Sequence, residues 1–274
     1  MDVLTKPFSY SRYKRLQHLE EETFEIELEE PNTQPFFVRE KPDTRFRFTN
    51  TSIYSSGCVD QSEFTASLIS SYFHTSDVSS IVVTDATSCI GGNTWAFAKH
   101  FKKVNAVEIH PLHFEILTHN MKELHLDRKI NFYLSNYLEV YSTLQQDVVF
   151  IDPPWGGMKY RSSPQVGLYN TMDHFIPVPR MLSEIEFGES TKLIILKVPK
   201  NYSTFGLKKE GFPFKKVVSL RTTVSREVGR SQGMKDTLYK LVCLSSAKER
   251  RVPDIPCFSR VGYRSLRFKR LEQN

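Results

Sequence analysis

Cysteine is scarce in this chain, and long apolar runs are missing. Four cysteines stand among 274 residues, at positions 58, 89, 243 and 257. Their separations fit no paired Cys-x-x-Cys pattern, so neither a structural zinc nor a disulfide framework is expected. No stretch approaches the roughly 18 apolar residues of a membrane helix. The first residues, MDVLTKPFSYSRYKR, lack the apolar segment of a signal peptide. A soluble intracellular protein, cytoplasmic or nuclear, is the expectation. No internal repeat or long low-complexity tract is present, which leaves one large domain or one domain with substantial extensions. Acidic residues are thin toward the end of the chain. Residues 207–274 carry 17 Lys/Arg against 6 Asp/Glu, so that a total of +6 divides into −5 for residues 1–206 and +11 beyond. A basic end of this kind suits an anionic partner.

What is present has an order. Residues 1–60 mix the acidic stretch EEETFEIELEE with a proline-bearing segment and read as an N-terminal extension with one short strand. Phe46 and Phe48 alternate as strand residues do. A helix is predicted over Gln61–Phe73, where Phe64, Leu68 and Tyr72 recur every four residues. From Ser80 the pattern is regular: strands at Ile81–Asp85, Asn105–Ile109, Lys129–Leu134, Asp147–Ile151 and Lys192–Val198, with helix-like segments between. Pro111 is suited to the first turn of one of these helices. Alternating strands and helices imply an α/β fold, a doubly wound parallel sheet covered on both faces. Lys215–Leu220 and Thr237–Leu244 add a last pair of strands around a polar loop, Arg221–Asp236, and residues 245–274 read as a basic, irregular tail. The body of the domain is accordingly 61–244.

In an open parallel sheet, ligands bind beyond the carboxyl ends of the strands. Three segments fall there. Asp85-Ala-Thr-Ser-Cys-Ile-Gly-Gly-Asn93 leaves the first strand, and Gly91 and Gly92 allow a close backbone approach. Glu108 ends the second strand, 23 residues after Asp85. An acid at this distance can accept both hydroxyl hydrogens of a ribose. Together they point to a nucleoside-containing cofactor. Asp152-Pro-Pro-Trp-Gly-Gly157 follows the fourth strand. Its two prolines stiffen the turn and present the Pro153 carbonyl, with the Asp152 carboxylate as a second acceptor and Trp155 as a flat surface. Those groups suit an exocyclic amine on a nucleobase, with its ring stacked on the indole.

The Asp85 to Asn93 turn, the Glu108-Ile-His-Pro111 segment, Asn120, DVVFIDPPWGG and Pro199-Lys-Asn201 together resemble the trimethylguanosine synthase family. These are S-adenosylmethionine-dependent RNA cap guanine-N2 methyltransferases. The resemblance covers roughly residues 60–205, and it implies the class I methyltransferase (Rossmann-like) sheet with an antiparallel last strand. It further implies that Asp85, Gly91, Gly92 and Asn93 hold the methionine part of S-adenosylmethionine, Glu108 its ribose and Asn136 the region of its adenine. Trp155 matches the tryptophan that stacks on 7-methylguanine, a cation over an indole face. Cys89 stands where the family has a further glycine, and Glu108, His110 and Asn136 stand where it has Asp. Asp152 replaces the usual Ser and matches adenine-N6 methyltransferases.

The expected reaction is methyl transfer to the exocyclic N2 of a 7-methylguanosine cap, by a monomer acting on capped RNA without a metal. Asp152 and Pro153 orient the amine, and Trp155 stacks the base. Lys159, Arg161, Lys197, Lys200 and Asn201 are candidates for the RNA or cap phosphates. An adenine-N6 methyltransferase and an inactive RNA-binding module are the alternatives. His113, His119 and His125 recur every six residues, about 240° per step on a helix, and do not converge on one metal. They are read as solvated side chains, and Cys89 as a small residue packed under the turn.

Overall fold

The computed structural model describes residues 23–26, 45–49, 51–57, 59–73, 78–155, 166–171, 174–185, 190–209, 211–228, 231–245, 260–263 and 268–270. Its centre is the run of short apolar segments that the sequence marks as strands. Strands β3 (Val82–Asp85), β4 (Lys103–Glu108), β5 (Ile130–Leu134), β6 (Val148–Ile151) and β9 (Leu193–Pro199) lie parallel. β10 (Phe214–Val228) and β11 (Ser231–Leu244) form an antiparallel hairpin, and β11 runs antiparallel to β9. With β12 (Arg260–Tyr263) at the far edge, the order is β12-β10-β11-β9-β6-β3-β4-β5. The chain moves outward from β3 to β5, then returns to place β6 on the other side of β3. That reversal opens a crevice between the carboxyl ends of β3 and β6, where a parallel sheet binds ligands.

Both faces are buried at the centre of the sheet, where β6 is wholly apolar and β9 apolar but for Lys197. Val148, Phe150 and Ile195 point into one core with Leu68, Phe97 and Met121. Val149, Ile151, Ile194 and Leu196 point into the other with Met181 and Leu182. Successive residues thus serve opposite layers, as the twofold period of a strand requires. The first layer is made by α2 (Val59–Phe73), α3 (Gly92–His100) and α4 (Pro111–Glu123). The second holds α6 (Val178–Glu184) after the short hairpin of β7 (Gly167–Thr171) and β8 (His174–Pro177). Short helices α1 (Ser52–Ser55), α5 (Tyr137–Val140) and α7 (Phe205–Lys209) complete the described α-helices. Pro111 opens α4, as its sequence position suggests. α2 begins at Val59, two residues before its predicted start.

Several expectations for the flanking regions change. The polar segment Arg221–Asp236 is not a loop, since β10 and β11 continue through it with paired register from Val217/Val242 to Val228/Ser231. Residues 245–274 are not wholly irregular. β12 pairs parallel with β10, and β13 (Phe268–Arg270) pairs antiparallel with β1 (Thr23–Ile26). β1 also pairs with β2 (Phe46–Thr49), so the two ends of the chain meet in one small sheet. The described segments 23–26 and 45–49 are therefore joined to the rest of the fold by strand pairing and, for 45–49, by core packing. Phe46 and Phe48 are 1% and 2% exposed and lie in the core beneath α4. Burying two phenylalanines contributes several kcal/mol in area terms, enough to make 45–49 integral to the fold.

Polar groups fix that strand in place. The Asn120 side chain, on α4, accepts from the Arg47 N–H at 2.9 Å and donates to the Arg47 carbonyl at 3.0 Å. It reaches on to the Ile90 carbonyl at 3.2 Å. His119 Nε2 lies 2.9 Å from the Arg45 carbonyl, and His113 Nε2 lies 3.2 Å from Thr49 Oγ1. These two histidines are thus tied to the β2 segment rather than merely solvated.

Candidate active site

Three carboxylates mark the carboxyl ends of β3, β4 and β6. Asp85 is fully buried. Its Oδ2 accepts from Thr94 Oγ1 at 2.7 Å, the Thr87 N–H reaches the carboxylate loosely, and Oδ1 has no well-formed hydrogen bond. Burial is the main influence on this group and lifts its pKa to about 7, opposed by Thr94 and Thr87 and aided by the nearby charges of Asp152 and Glu108. A buried carboxylate oxygen without a donor or a cation is an unfinished site. It fits the cationic amino group that the methionine part of S-adenosylmethionine presents.

The turn that follows is held by the strands on both sides. The Ala86 N–H donates to the Phe150 carbonyl on β6, and the Ser88 N–H donates to the Val107 carbonyl on β4, each at 2.9 Å. Glu108 accepts from the Cys89 N–H through Oε2 and from the His110 N–H through Oε1, both at 2.7 Å. Each carboxylate oxygen keeps further acceptor capacity, so Glu108 can receive ribose hydroxyls while it anchors the turn. Cys89 has φ +50°, in the left-handed region. A non-glycine residue there costs about 1–2 kcal/mol, which explains why glycine is the natural occupant.

Gly91 and Gly92 are also demanded by the protein's own packing. A Cβ on Gly91 would lie 2.7 Å from Met121 Cε, and its φ is +102°. A Cβ on Gly92 would lie 2.7 Å from the Gly57 carbonyl oxygen. Asn93 is likewise engaged, its Oδ1 accepting from Ser62 Oγ at 3.1 Å. These residues shape the turn and the start of α3. Asn136 is buried and caps α5, accepting from the Leu138 N–H at 3.0 Å.

The second turn lies against the first. The Asp152 N–H donates to Thr87 Oγ1 at 2.9 Å, joining the residue after β6 to the turn after β3. Pro153 is buried, Pro154 exposed and Trp155 half-buried. The Trp155 indole N–H donates to the Lys197 carbonyl on β9 at 3.3 Å. Lys197 Nζ is 2.5 Å from Asp152 Oδ2, with side-chain exposures of 8% and 11%. Lys197 is therefore not a surface contact for phosphate, as its basic character suggests, but the buried partner of Asp152. Burial lifts the Asp152 carboxyl above the usual range, while the charge and hydrogen bond of Lys197 pull it down.

Lys200 and Asn201 follow β9 and are exposed. Lys159 and Arg161 lie outside the described residues. Thr87, Thr94 and Asn120 hold the site together, and nothing in their spacing assigns them these tasks. Lys197 does carry a signal: it is a lone charge inside the apolar strand LIILKVP, and such a charge needs a partner. Among the described residues no His, Cys, Asp and Glu cluster could hold a metal ion, and no helix is long and apolar enough to cross a membrane.

Comparison with known proteins accords with this geometry. The model of the family "RNA cap guanine-N2 methyltransferase" matches residues 80–239, which include both turns. An uncharacterised protein of Acanthamoeba polyphaga mimivirus is 34% identical over 126 residues, 44% of this chain and 47% of that protein. Trimethylguanosine synthase of Schizosaccharomyces pombe is 32% identical over 85 residues, 29% of this chain and 35% of that one. The matched stretches thus span less than half the length of these relatives. Among solved structures, a SAM-dependent O-methyltransferase of Thermotoga maritima has a TM-score of 0.45 at 12% identity, covering 80% of each chain. TrmK of M. capricolum, in complex with S-adenosyl-homocysteine, has a TM-score of 0.42 at 15% identity, covering 69% of this chain and 71% of that one. With a family match over more than half its length, this chain belongs to the RNA cap guanine-N2 methyltransferase family.

Proposed function

We propose that this chain methylates the exocyclic N2 of a 7-methylguanosine RNA cap. The observation that carries the reading is the Asp152 to Thr87 hydrogen bond of 2.9 Å, which sets the amine-orienting turn directly beside the cofactor turn. When bound, S-adenosylmethionine supplies an electrophilic methyl group on sulfonium. Asp85, the Gly91 to Asn93 turn and Glu108 would hold it, with Asn136 near its adenine.

The protein's part is orientation. An exocyclic amine is a weak nucleophile because its lone pair is delocalised into the ring. Hydrogen bonds from its two N–H groups to the Asp152 carboxylate and the Pro153 carbonyl favour a pyramidal nitrogen with its lone pair aimed away from the ring. Trp155 stacks the base and fixes the plane in which that lone pair points. A strong base is unnecessary, because the nitrogen proton becomes acidic once the bond to carbon has formed. Lys200 and Asn201 stand exposed beyond β9 and are candidates for contact with the cap phosphates, and Lys159 and Arg161 are further candidates by sequence.

Asp152 also suits the N6 amine of adenine. A labelled methyl-transfer assay on 7-methylguanosine-capped, uncapped and adenine-rich RNA separates the two readings. Incorporation confined to capped RNA, with nucleoside digestion giving N2-methylated 7-methylguanosine, is the expected result. Incorporation into uncapped adenine-rich RNA establishes the adenine reading instead. No incorporation and no calorimetric binding of S-adenosylmethionine would identify an inactive RNA-binding module.

A further inference from the structure

Strand β9 is apolar at every position except one. Ile194, Ile195, Leu196 and Val198 are fully buried, and Lys197 sits among them with 6% of its surface exposed. A lysine in such a place keeps its charge only beside an anion. Its ammonium is on Asp152 Oδ2, and the rings of Tyr239 and Trp155 flank it at 5.2 and 5.9 Å from their centroids. Its carbonyl meanwhile takes the Trp155 indole N–H. One residue therefore touches both functional side chains of the base turn.

We propose that Lys197 is the positioning residue of the base turn, holding the Asp152 carboxylate ionised and oriented so that it can accept the substrate's exocyclic amine. This rests on the reading of Asp152 as the amine acceptor. The charged groups that bear on Asp152 are few among the described residues. Asp85, on β3, is electrostatically coupled to it; Glu108, on β4, bears on Asp85 in turn; Lys197, on β9, is the cation. Without the cation, buried carboxylates would face one another at adjacent strand ends, a setting in which one of them takes up a proton. A protonated Asp152 turns one oxygen into a donor and leaves only a weaker, neutral acceptor for the amine. With the ammonium on Oδ2, both charges are offset and Oδ1 remains for the substrate. The indole bond to the same residue couples the angle of the stacking face to the acceptor, so base plane and amine are set by one strand position.

Carbon-13 NMR of the aspartate carboxyls, with the Asp152 signal assigned by its loss in Asp152→Asn, reads this hold without any substrate. In Lys197→Met the Asp152 midpoint is expected to rise by about 1–3 pH units, and in Lys197→Arg to return toward the wild-type value. The acid limb of the kcat profile for methyl transfer should move upward with it, while the KM for S-adenosylmethionine changes by less than about twofold. Lys197→Gln, which keeps a hydrogen-bond donor but no charge, serves if the methionine variant does not fold, and the same upward shift is expected. An Asp152 midpoint that stays put in the neutral variants overturns the proposal, as does an acid limb that stays put while the midpoint moves. Wild-type protein that methylates adenine-rich RNA instead of capped RNA overturns the cap assignment alone, and the profile is then read on that RNA. Wild-type protein that methylates neither overturns both.

Discussion

The turns that leave β3 and β6 each start at a buried aspartate and lie one strand apart, yet they are completed by different means. Asp85 has a hydroxyl partner, Thr94, and one oxygen left over. Asp152 has a cation from its own chain, Lys197. The first turn is rigid by backbone: neighbouring strands take its N–H groups, and Gly92 is wedged against Gly57. The second is stiff by composition, through two prolines, and is oriented by Lys197 of β9, through its carbonyl and its ammonium. A turn whose acid lacks a cation is suited to a ligand that brings one. A turn whose acid is already neutralised is suited to a ligand held by hydrogen bonds and stacking.

This contrast can be broken at either side. The largest effects belong to the second turn. Asp152→Ala and Trp155→Ala should each lower kcat/KM by about 100-fold or more, through lost orientation and stacking, while calorimetry finds S-adenosylmethionine affinity little changed. Normal rates in a folded variant would remove Asp152 or Trp155 from the mechanism.

Next comes the backbone of the first turn. Gly92→Ala places a Cβ against the Gly57 carbonyl oxygen at 2.7 Å, where backbone has little room to give. Denaturant unfolding should show a loss of about 1–3 kcal/mol, with cofactor affinity falling as the turn shifts. An unchanged midpoint would mean that the 51–57 segment does not press on the turn.

Thr94→Val leaves the Asp85 carboxylate without its hydroxyl donor, an expected cost of about 1–3 kcal/mol when the group is ionised. The size should depend on pH. Asp85 has a folded pKa raised to about 7 from 3.8, so the folded state holds a proton that the unfolded chain has released. Its contribution to stability is greatest below pH 4 and declines as pH rises to about 7. Asp85→Asn should flatten that decline in cofactor-free protein. A stability profile of identical shape in both proteins would contradict the burial of an unpaired carboxyl.

The smallest effect lies at Cys89. Its left-handed backbone suits glycine, so Cys89→Gly should stabilise by about 1 kcal/mol or less. Thermal unfolding would show a rise of a few degrees at most. A fall would assign the Cys89 side chain, which receives the Ser56 hydroxyl at 3.7 Å, a packing value greater than the backbone strain.

Much of the sheet was legible because each strand is a short apolar run bounded by turn residues, and its period is unmistakable once helices alternate with it. Asp85, Glu108 and Asp152 were legible for the same reason, since strand ends in such a sheet point at the crevice. The β10–β11 hairpin was not, because Arg221–Asp236 is polar and gives no burial pattern. Nor were the pairings of the chain ends, where β1 meets β13 across more than 240 residues of sequence. Local pattern has no access to contacts of that separation.

The sequence by itself therefore determined the order of the central strands and helices and the candidate residues at the mouth of the sheet. Only the tertiary structure decided how those residues are occupied. Lys197 reads as one more surface cation until β9 is packed between β6 and β11, where burial turns it into the counter-charge of Asp152. Gly91 and Gly92 read only as backbone for a ligand until Met121 and Gly57 are seen to pack where a Cβ would stand. In each case the cause is desolvation or exclusion, which depends on what surrounds a residue in space and is absent from the residue itself.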